Sequence, residues 1–302
     1  MDLKSKIILI YGPTASGKSN FAIKLAKKIK GEIINADSMQ VYKELKILSA
    51  RPLLKNYKKI KHHLYGFHNV KKKFSTGDWL RLVDQKILEI KKRKKIPIIV
   101  GGTGLYFKAL TEGMVSIPNI PVKFREKVRS LHKSIGSKKF FLELIKIDPY
   151  VKNRINPSDT QRSIRAYEIK LYTKKSMYDW FKNTKSNYEK KNFYKIYIDF
   201  PRANLLERIN LRVKKMIKKG AVLEVKKFIK LKIPKSKSAH KAIGINEIGD
   251  YLHKKIEIND LIEKISIKTR QYAKRQSTWG RGNMKDWIKT NPKSLDQFLK
   301  KI

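Results

Sequence analysis

The sequence contains no cysteine and few acidic residues, and both shortages narrow its possible functions. Without cysteine, a chain of 302 residues forms no disulfide bond, no thiolate zinc site and no cysteine nucleophile. Only 25 residues are Asp or Glu against 72 Lys or Arg, which gives a formal net charge of +47. This charge indicates a polyanionic partner, and nucleic acid fits better than a membrane because no lipid-facing amphipathic segment stands out. Abundant Lys, Ile and Asn are also typical of an AT-rich coding sequence, which is a second explanation for part of the excess.

Long apolar runs are absent as well. No run approaches the roughly 20 residues that a membrane-spanning helix needs. No signal-peptide pattern precedes the first predicted strand, so we expect a cytoplasmic protein that does not interact with membranes. A hydrophobic content of 41% supplies ample core material for one large domain or two small ones.

A glycine-rich loop follows the first predicted strand. Ile7–Tyr11 is a predicted buried strand, Lys18–Ile29 a predicted helix, and GPTASGKS between them fits the pattern Gly-x-x-x-x-Gly-Lys-Ser/Thr at every fixed position. Backbone N–H groups and the helix dipole favour anions there, Lys18 adds a positive charge, and the Ser19 hydroxyl is a ligand for Mg²⁺. We therefore expect a polyphosphate group bound by Gly12, Thr14, Ala15, Ser16, Gly17, Lys18 and Ser19.

Strand and helix signals alternate around this loop, which predicts a parallel sheet flanked by helices. Further strands are predicted at Glu32–Ala36, Ile96–Val100 and Tyr194–Phe200, and further helices at Trp79–Lys94, Leu205–Lys219, Val222–Leu231 and Ile258–Trp279. Helical spacing dominates from 118 to 192. The predicted fold class is α/β: a P-loop core formed by residues 1–117 and 193–302, with an inserted, mainly helical subdomain at 118–192.

Two segments lie where ligands bind in such sheets, at the carboxyl ends of strands. Asp37 follows the second strand, where a carboxylate can act as a base, bind Mg²⁺ or cap the next segment. Gly101, Gly102 and Thr103 follow the third strand, where P-loop NTPases usually have a magnesium-binding Asp. Glycines there permit close approach of a ligand to the backbone, and a tight turn before a helix explains them equally well.

Other patterns have both a functional and a structural interpretation. Arg162 and Arg165 lie on one helix face, suited to a diphosphate or an RNA backbone or simply to solvent. Tyr272 and Trp279 lie among basic residues, which suits base stacking or packing into the core. For the pair at positions 62 and 63, both His, a structural role is favoured over metal binding because adjacent residues rarely converge on one ion.

Together these motifs resemble the tRNA dimethylallyltransferase family, the bacterial tRNA isopentenyltransferases. The matching segments run in order along nearly the whole chain: GPTASGKS at 12–19, ADSMQVY at 36–42, VGGTGLY at 100–106, DTQRSIRAYE at 159–168, AIGINEI at 242–248 and TRQYAKRQSTW at 269–279. ADSMQVY and VGGTGLY are long and unusual, which makes the resemblance specific.

The resemblance implies transfer of a dimethylallyl group from dimethylallyl diphosphate, with Mg²⁺, to N6 of the adenine 3′ of the anticodon in tRNAs that read codons beginning with U. It implies that Asp37 is the general base, that Thr103 and Arg162 are also catalytic, and that the enzyme is a monomer. It further implies contacts with the tRNA anticodon stem-loop from Asp37, Ser38, Met39, Gln40, Thr103, Arg125, Gln161, Arg162, Ser163, Ile164 and Arg165.

Two other functions remain possible at this point. Ile198–Arg202 faintly resembles a segment of the P-loop nucleotide kinases, which would bind ATP in the same loop. An RNA-binding protein without enzymatic activity would explain the charge, but it would leave ADSMQVY and the glycine motif without a role.

Overall fold

The computed structural model of the chain describes residues 3, 5–52, 57, 59–182, 184–291, 297, 298 and 300. The chain divides into two compact units. The first comprises residues 1–111 and 188–302, and the second residues 112–187. Among the residues described, no helix is long and apolar enough to cross a membrane.

The first unit is built on a six-stranded sheet in which every pair of neighbouring strands is parallel. The strands are β1 (Ile7–Tyr11), β2 (Gly31–Asn35), β3 (His62–His63), β4 (Ile96–Gly101), β5 (Phe193–Ile198) and β6 (Ile288–Thr290). Their order is β3-β2-β4-β1-β5-β6. The predicted α/β fold is therefore confirmed, with β1 near the middle of the sheet.

Ten α-helices are present in the described residues: α1 (Lys18–Lys28), α2 (Thr76–Lys92), α3 (Gly104–Glu112), α4 (Val122–Ile147), α5 (Thr160–Thr173), α6 (Met177–Lys182), α7 (Arg202–Lys218), α8 (Ala221–Lys230), α9 (Ile245–Leu252) and α10 (Ile258–Asn283). Ser75 caps α2, because its hydroxyl accepts the Asp78 N–H while the Asp78 carboxylate accepts the Ser75 N–H.

Side chains of β1 alternate between two apolar layers. Ile7, Leu9 and Tyr11 pack with α2 and α3 on one face, while Ile8 and Ile10 pack with α1 on the other. All five are fully buried, as expected for a central strand of a parallel sheet covered on both faces. The sheet therefore holds the loop that follows Tyr11 on a rigid support.

The two edge strands, β3 and β6, were not predicted from the sequence. Each has only two or three residues and lacks the apolar run that marks β1 and β4. In β3, His63 pairs with the buried Glu32 at 2.7 Å between Nε2 and Oε2, and Arg93 binds the same carboxylate. The histidine thus has a structural partner at the sheet edge.

The second unit contains α4, α5 and α6 around its own apolar cluster. α4 is interrupted at Gly136, whose φ of 78° lies in the left-handed region. The unit begins and ends earlier than the predicted range of 118–192, because Ile117 and Ile120 pack into its cluster while Tyr188 packs against Phe193 of β5. The predicted contact of this unit with tRNA stays a prediction.

Candidate active site

The loop after β1 has the conformation of an anion cradle. Ala15 and Gly17 adopt positive φ values of 63° and 88°, which turn successive N–H groups toward one side. The Lys18 ammonium donates to the Pro13 carbonyl oxygen at 3.1 Å. The Ser16 hydroxyl is fully buried and has no hydrogen-bond partner within the described part of the chain. An unpaired polar group at this position is consistent with a loop shaped for a ligand.

A cavity of about 530 Å³ opens in front of this loop, and we call it the phosphate-loop cavity. Its lining includes Lys18 and Ser19, as predicted for a phosphate site, and two guanidinium groups that no sequence motif singles out. These belong to Arg208 and Arg212 of α7. The described lining residues are Thr14, Ala15, Gly17, Lys18, Ser19, Asn20, Ile23, Asp37, Gln40, Ala50, Pro52, Arg208 and Arg212.

Two cations of this cavity, Lys18 and Arg212, are partly removed from solvent, whereas Arg208 is exposed. Burial lowers the pKa of Lys18 to about 8; Asp37 opposes this shift, and the Arg212 guanidinium adds to it. Burial also lowers the pKa of Arg212, again opposed by Asp37. Two desolvated cations beside one carboxylate favour an anionic ligand, because its charge would relieve their repulsion.

Asp37 is fixed by the end of β2. The buried Asn35 amide accepts the Asp37 N–H through Oδ1 at 2.9 Å and donates through Nδ2 to the Asp37 carbonyl at 3.0 Å. The Asp37 carboxylate accepts the Met39 N–H through Oδ1 at 2.9 Å. No partner of Oδ2 occurs among the described residues, so one oxygen of a well-positioned carboxylate is available to a ligand.

Thr103 lies beside Asp37 because the backbones after β2 and β4 are hydrogen-bonded. The Thr103 N–H donates to the Ala36 carbonyl at 3.2 Å, and Thr103 Oγ1 accepts the Ser38 N–H at 2.9 Å. A Cβ atom at Gly101 would lie 2.0 Å from the Ala36 oxygen, which only glycine avoids. The glycine motif therefore makes a close approach possible between the two segments that carry Asp37 and Thr103.

Gln276 of α10 joins this arrangement to the phosphate-binding loop. Its Oε1 accepts the Thr14 N–H at 2.8 Å, and its Nε2 donates to the Gly102 carbonyl at 2.8 Å. Its own carbonyl accepts the Tyr11 hydroxyl at 2.7 Å. The side chain is 4% exposed, so a single buried amide connects two loops of the site. Nothing in the spacing of the sequence indicates this role.

A second cavity, of about 360 Å³, lies along α10 and is called the α10 cavity here. It is lined by Thr14, Asp37, Ser38, Met39, Leu48, Ser49, Arg212, Val213, Met216, Lys241, Ala242, Ile243, Ile265, Thr269, Tyr272 and Arg275. Thr14, Asp37 and Arg212 line both cavities. Asp37 therefore stands where a cationic, phosphate-type compartment meets a more apolar one.

The remaining predicted residues of the first unit differ in their surroundings. Ser38 and Met39 line the α10 cavity, whereas Gln40 lines the phosphate-loop cavity and donates to the Ser49 carbonyl at 3.1 Å. The two aromatic residues for which the sequence suggested base stacking or core packing lie in different surroundings. Tyr272 lines the α10 cavity, and Trp279 packs on Tyr11 with ring centroids 5.7 Å apart.

Three of the predicted RNA contacts in the second unit are arginines, Arg125, Arg162 and Arg165. A buried carboxylate organises two of them together with Arg129, which was not predicted. Glu168, 1% exposed, accepts from Arg125 at 3.2 Å and from Arg165 at 3.1 Å, and lies 3.8 Å from Arg129. Arg162 pairs instead with Asp159, which caps α5, at 3.4 Å. All four guanidinium groups remain partly exposed on one unit.

The other three predicted RNA contacts on α5 are Gln161, Ser163 and Ile164, and they differ in exposure. Gln161 is exposed and Ile164 is half-buried, so both have surface to offer a partner. Ser163 is 2% exposed and packs inside the unit. Its burial argues against the predicted contact between its side chain and tRNA, because this position of α5 faces the apolar cluster.

A magnesium ion fits the donors present at the phosphate-binding loop. No group of three or more His, Asp or Glu side chains suited to a metal occurs in the described residues, so a protein-only cage is not formed. Mg²⁺ typically uses one or two protein oxygens and takes its other ligands from water and substrate phosphates. The Ser19 hydroxyl and the Asp37 carboxylate line the same cavity and can supply oxygen ligands of that kind.

These features define an α/β P-loop protein in which the cavity at the loop shares lining residues with a second cavity. Residues 40–283 match the family model described as IPP transferase, and the chain belongs to that family. Over its full length it is 60% identical to a tRNA dimethylallyltransferase of Pelagibacter ubique, of which it covers 96%. It is 42% identical to a tRNA dimethylallyltransferase of Rickettsia massiliae, over 99% of this chain and 83% of the relative. The resemblance inferred from the motifs is confirmed.

Solved structures of similar proteins agree with this assignment. A tRNA isopentenylpyrophosphate transferase from Bacillus halodurans superposes with a TM-score of 0.70 at 32% identity, covering 98% of this chain and 95% of that one. A eukaryotic dimethylallyltransferase described as acting on tRNA superposes with a TM-score of 0.82 at 29% identity, covering 95% of this chain and 73% of that one.

Proposed function

We propose that this protein is a tRNA prenyltransferase, which moves a dimethylallyl group from dimethylallyl diphosphate to N6 of the adenine 3′ of the anticodon. The observation that carries the proposal is the position of Asp37, whose carboxylate lines both the phosphate-loop cavity and the α10 cavity. Membership of the IPP transferase family supports the same reaction. We further propose that it acts as a cytoplasmic monomer on tRNAs that read codons beginning with U.

The acceptor nitrogen needs a base. The lone pair of an adenine N6 amine is delocalised into the ring, so the amine attacks carbon poorly unless its proton is removed as the bond forms. In the proposed reaction the N6–C1 bond forms, the C1–O bond to diphosphate breaks, and the diphosphate leaves with the electron pair. The N6 proton goes to Asp37, whose Oδ1 is held by the Met39 N–H while Oδ2 is available.

The leaving diphosphate gains charge as the C1–O bond breaks. Lys18, Arg208 and Arg212 line its cavity and are already positioned, so they stabilise that charge with little rearrangement. The Ser19 hydroxyl would hold Mg²⁺, a cation that would supply further positive charge to the leaving group. Transfer to an amine needs no positioned attacking water, which fits Gly101 and Gly102 at the strand end where P-loop NTPases usually carry a carboxylate.

The adenine would occupy the α10 cavity. Tyr272 and Met39 offer flat or apolar surfaces to a base, and Ser38 offers a hydroxyl group, to which the Thr103 hydroxyl donates at 3.3 Å. To reach that position the base must leave its stack, at a cost of a few kcal/mol at most in a loop. The exposed arginines of the second unit suit RNA phosphates, to which guanidinium groups bind with two parallel hydrogen bonds.

A transfer assay tests the proposal. Purified protein, Mg²⁺ and dimethylallyl diphosphate are incubated with an unmodified tRNA that has adenine 3′ of its anticodon, and nuclease fragments are weighed by mass spectrometry. We expect the anticodon fragment alone to gain one prenyl unit, and no gain when that adenine is replaced by guanine. Absence of any gain, together with phosphate transfer from ATP to a nucleotide, would identify a kinase instead.

A further inference from the structure

A line of positive charge runs along α7 away from the phosphate-binding loop. Arg208, Arg212 and Lys215 of α7 and its C-cap residue Lys219 are spaced four, three and four residues apart, which places them along one side of the helix. They line a third cavity of about 460 Å³ together with Lys46 and Arg51 of the facing segment. We call this space the α7 vestibule.

The α7 vestibule is continuous with the phosphate-loop cavity. Ala50, Pro52, Arg208 and Arg212 line both. The Arg208 guanidinium reaches the loop itself, because a Cβ atom built on Gly17 would lie 3.5 Å from its Nη2. Its Cζ also lies 4.9 Å from the centroid of the Phe200 ring, which fixes its direction. The two cavities therefore form one path from the surface to the phosphate-binding loop.

The charge of the vestibule exceeds what the basic composition alone would give. Six of its eleven described lining residues are Lys or Arg, whereas the whole chain has 72 in 302. No acidic residue occurs among the described lining. The nearby Glu224 forms no ion pair with the cations of the described lining; both its oxygens accept backbone N–H groups, of Lys46, Ile47 and Leu48, at 2.8–2.9 Å.

Apolar side chains form the rest of the surface. Ile47, Leu211 and Met216 lie between the cations and give the vestibule walls of low polarity. Walls of this kind concentrate the electric field of the charges that line them. Within the described residues, neither Lys215 nor Lys219 has an ion-pair partner, so their charge is available to a ligand.

We propose that the α7 vestibule is a second anion-binding site, which captures the diphosphate group before it reaches the phosphate-binding loop and again as it leaves. The ligand class is a small polyphosphate anion with about the charge of a diphosphate. Arg212, at the inner end, belongs to both sites, while Lys215 and Lys219, at the outer end, belong to the vestibule alone. The assignment of dimethylallyl diphosphate as the natural ligand rests on the proposed function.

Two matched double variants test this site. Lys215→Gln/Lys219→Gln removes the outer charges of the vestibule. Lys214→Gln/Lys218→Gln removes the same charge, at the same spacing, from exposed positions of the helix that line no described part of the vestibule. Inorganic diphosphate binding is measured by calorimetry, and kcat and kcat/KM for dimethylallyl diphosphate are measured at low and high salt.

We expect the vestibule variant to lose about tenfold in kcat/KM for dimethylallyl diphosphate at low salt and less at high salt, because steering by charge is screened. Its kcat and its KM for tRNA should stay unchanged, and its affinity for inorganic diphosphate should fall. Equal effects of the two variants would overturn the proposal, because the lower net charge of the protein would then explain the loss. A raised KM for tRNA alone would make the surface an RNA contact instead. Calorimetry needs no turnover, so it tests the vestibule even if no prenyl transfer occurs.

Discussion

Gln276 shows how a residue far from the phosphate-binding loop in sequence can determine the geometry of that loop. Its amide satisfies the Thr14 N–H and the Gly102 carbonyl together, each at 2.8 Å. Because the amide offers one acceptor and one donor in fixed positions, no other side chain of the same size reproduces both bonds. The residue therefore positions the two loops on which the proposed reaction depends.

Replacing Gln276 tests this positioning role. Gln276→Leu leaves two backbone groups without partners and should lower the free energy of unfolding by about 1–3 kcal/mol for each buried group, measured by denaturant titration. Gln276→Glu keeps the acceptor for Thr14 but loses the donor to Gly102, so turnover should fall while the protein stays folded. Gln271→Leu, at an exposed position of the same helix, is the control. Equal stability of both leucine variants would contradict the role.

The titration of Lys18 gives diphosphate binding a specific pH dependence. In the folded protein burial lowers the pKa of Lys18 to about 8, and the protonated form is the one that attracts a diphosphate. Affinity should therefore be highest below pH 8 and fall as the pH rises through that value. Lys18→Arg keeps its charge over this range, so its profile should be flatter. Calorimetric titration with inorganic diphosphate measures the affinity of both proteins from pH 6.5 to 9.5, about 1.5 units on either side of the wild-type pKa. Identical profiles of the two proteins would assign the pH dependence to another group.

At the scale of elements, α4 and α5 are held together by a charge cluster as well as by their apolar contacts. Glu168 on α5 binds Arg125 of α4 and lies near Arg129 of the same helix. Without the carboxylate, these arginines and Arg165 would repel one another beside a buried, neutral group. The cluster thus keeps the exposed sides of the guanidinium groups in one orientation.

Glu168→Gln preserves the shape of the side chain and removes its charge. We expect the free energy of local opening of α4 and α5 to fall by about 1–3 kcal/mol. Loss of a partner from a fully buried ion pair costs more, but these arginines are partly exposed. Hydrogen exchange of the amides in both helices measures this change. Glu143→Gln, which removes an exposed pair with Lys146 in α4, should have almost no effect. If both variants exchange alike, Glu168 does not stabilise the unit.

Sequence patterns predicted the long elements well and the short or nonlocal ones poorly. β1 and β4 are continuous apolar runs, and the phosphate-binding loop has a fixed local pattern, so local chemistry sufficed for them. β6 has three residues and follows a long helix, and Arg212 and Gln276 are two polar residues among many. Arg212 and Gln276 reach the site only because α7 and α10 pack beside the loops. The spacing of residues along the sequence does not predict such packing.

At the scale of the whole molecule, the charge of +47 is expected to govern RNA binding. A protein that neutralises several RNA phosphates releases counterions, so its affinity decreases steeply as salt increases. We expect tRNA affinity to fall by at least about 10²-fold between 50 and 200 mM salt, in the range typical of several phosphate contacts. Filter binding with unmodified tRNA measures it. A response below about threefold would mean that the basic surface does not bind the RNA backbone.

The central claim is that Asp37 takes the proton of the acceptor amine at the junction of two cavities. Single-turnover prenyl transfer by Asp37→Asn tests it most directly, with diphosphate affinity measured on the same preparation. The amide retains an oxygen for the Met39 N–H but cannot accept a proton. We predict a rate at least about 10²-fold lower, the range for loss of a general base, with unchanged diphosphate affinity. An undiminished rate would contradict the account, and loss of diphosphate affinity would make Asp37 a metal ligand instead.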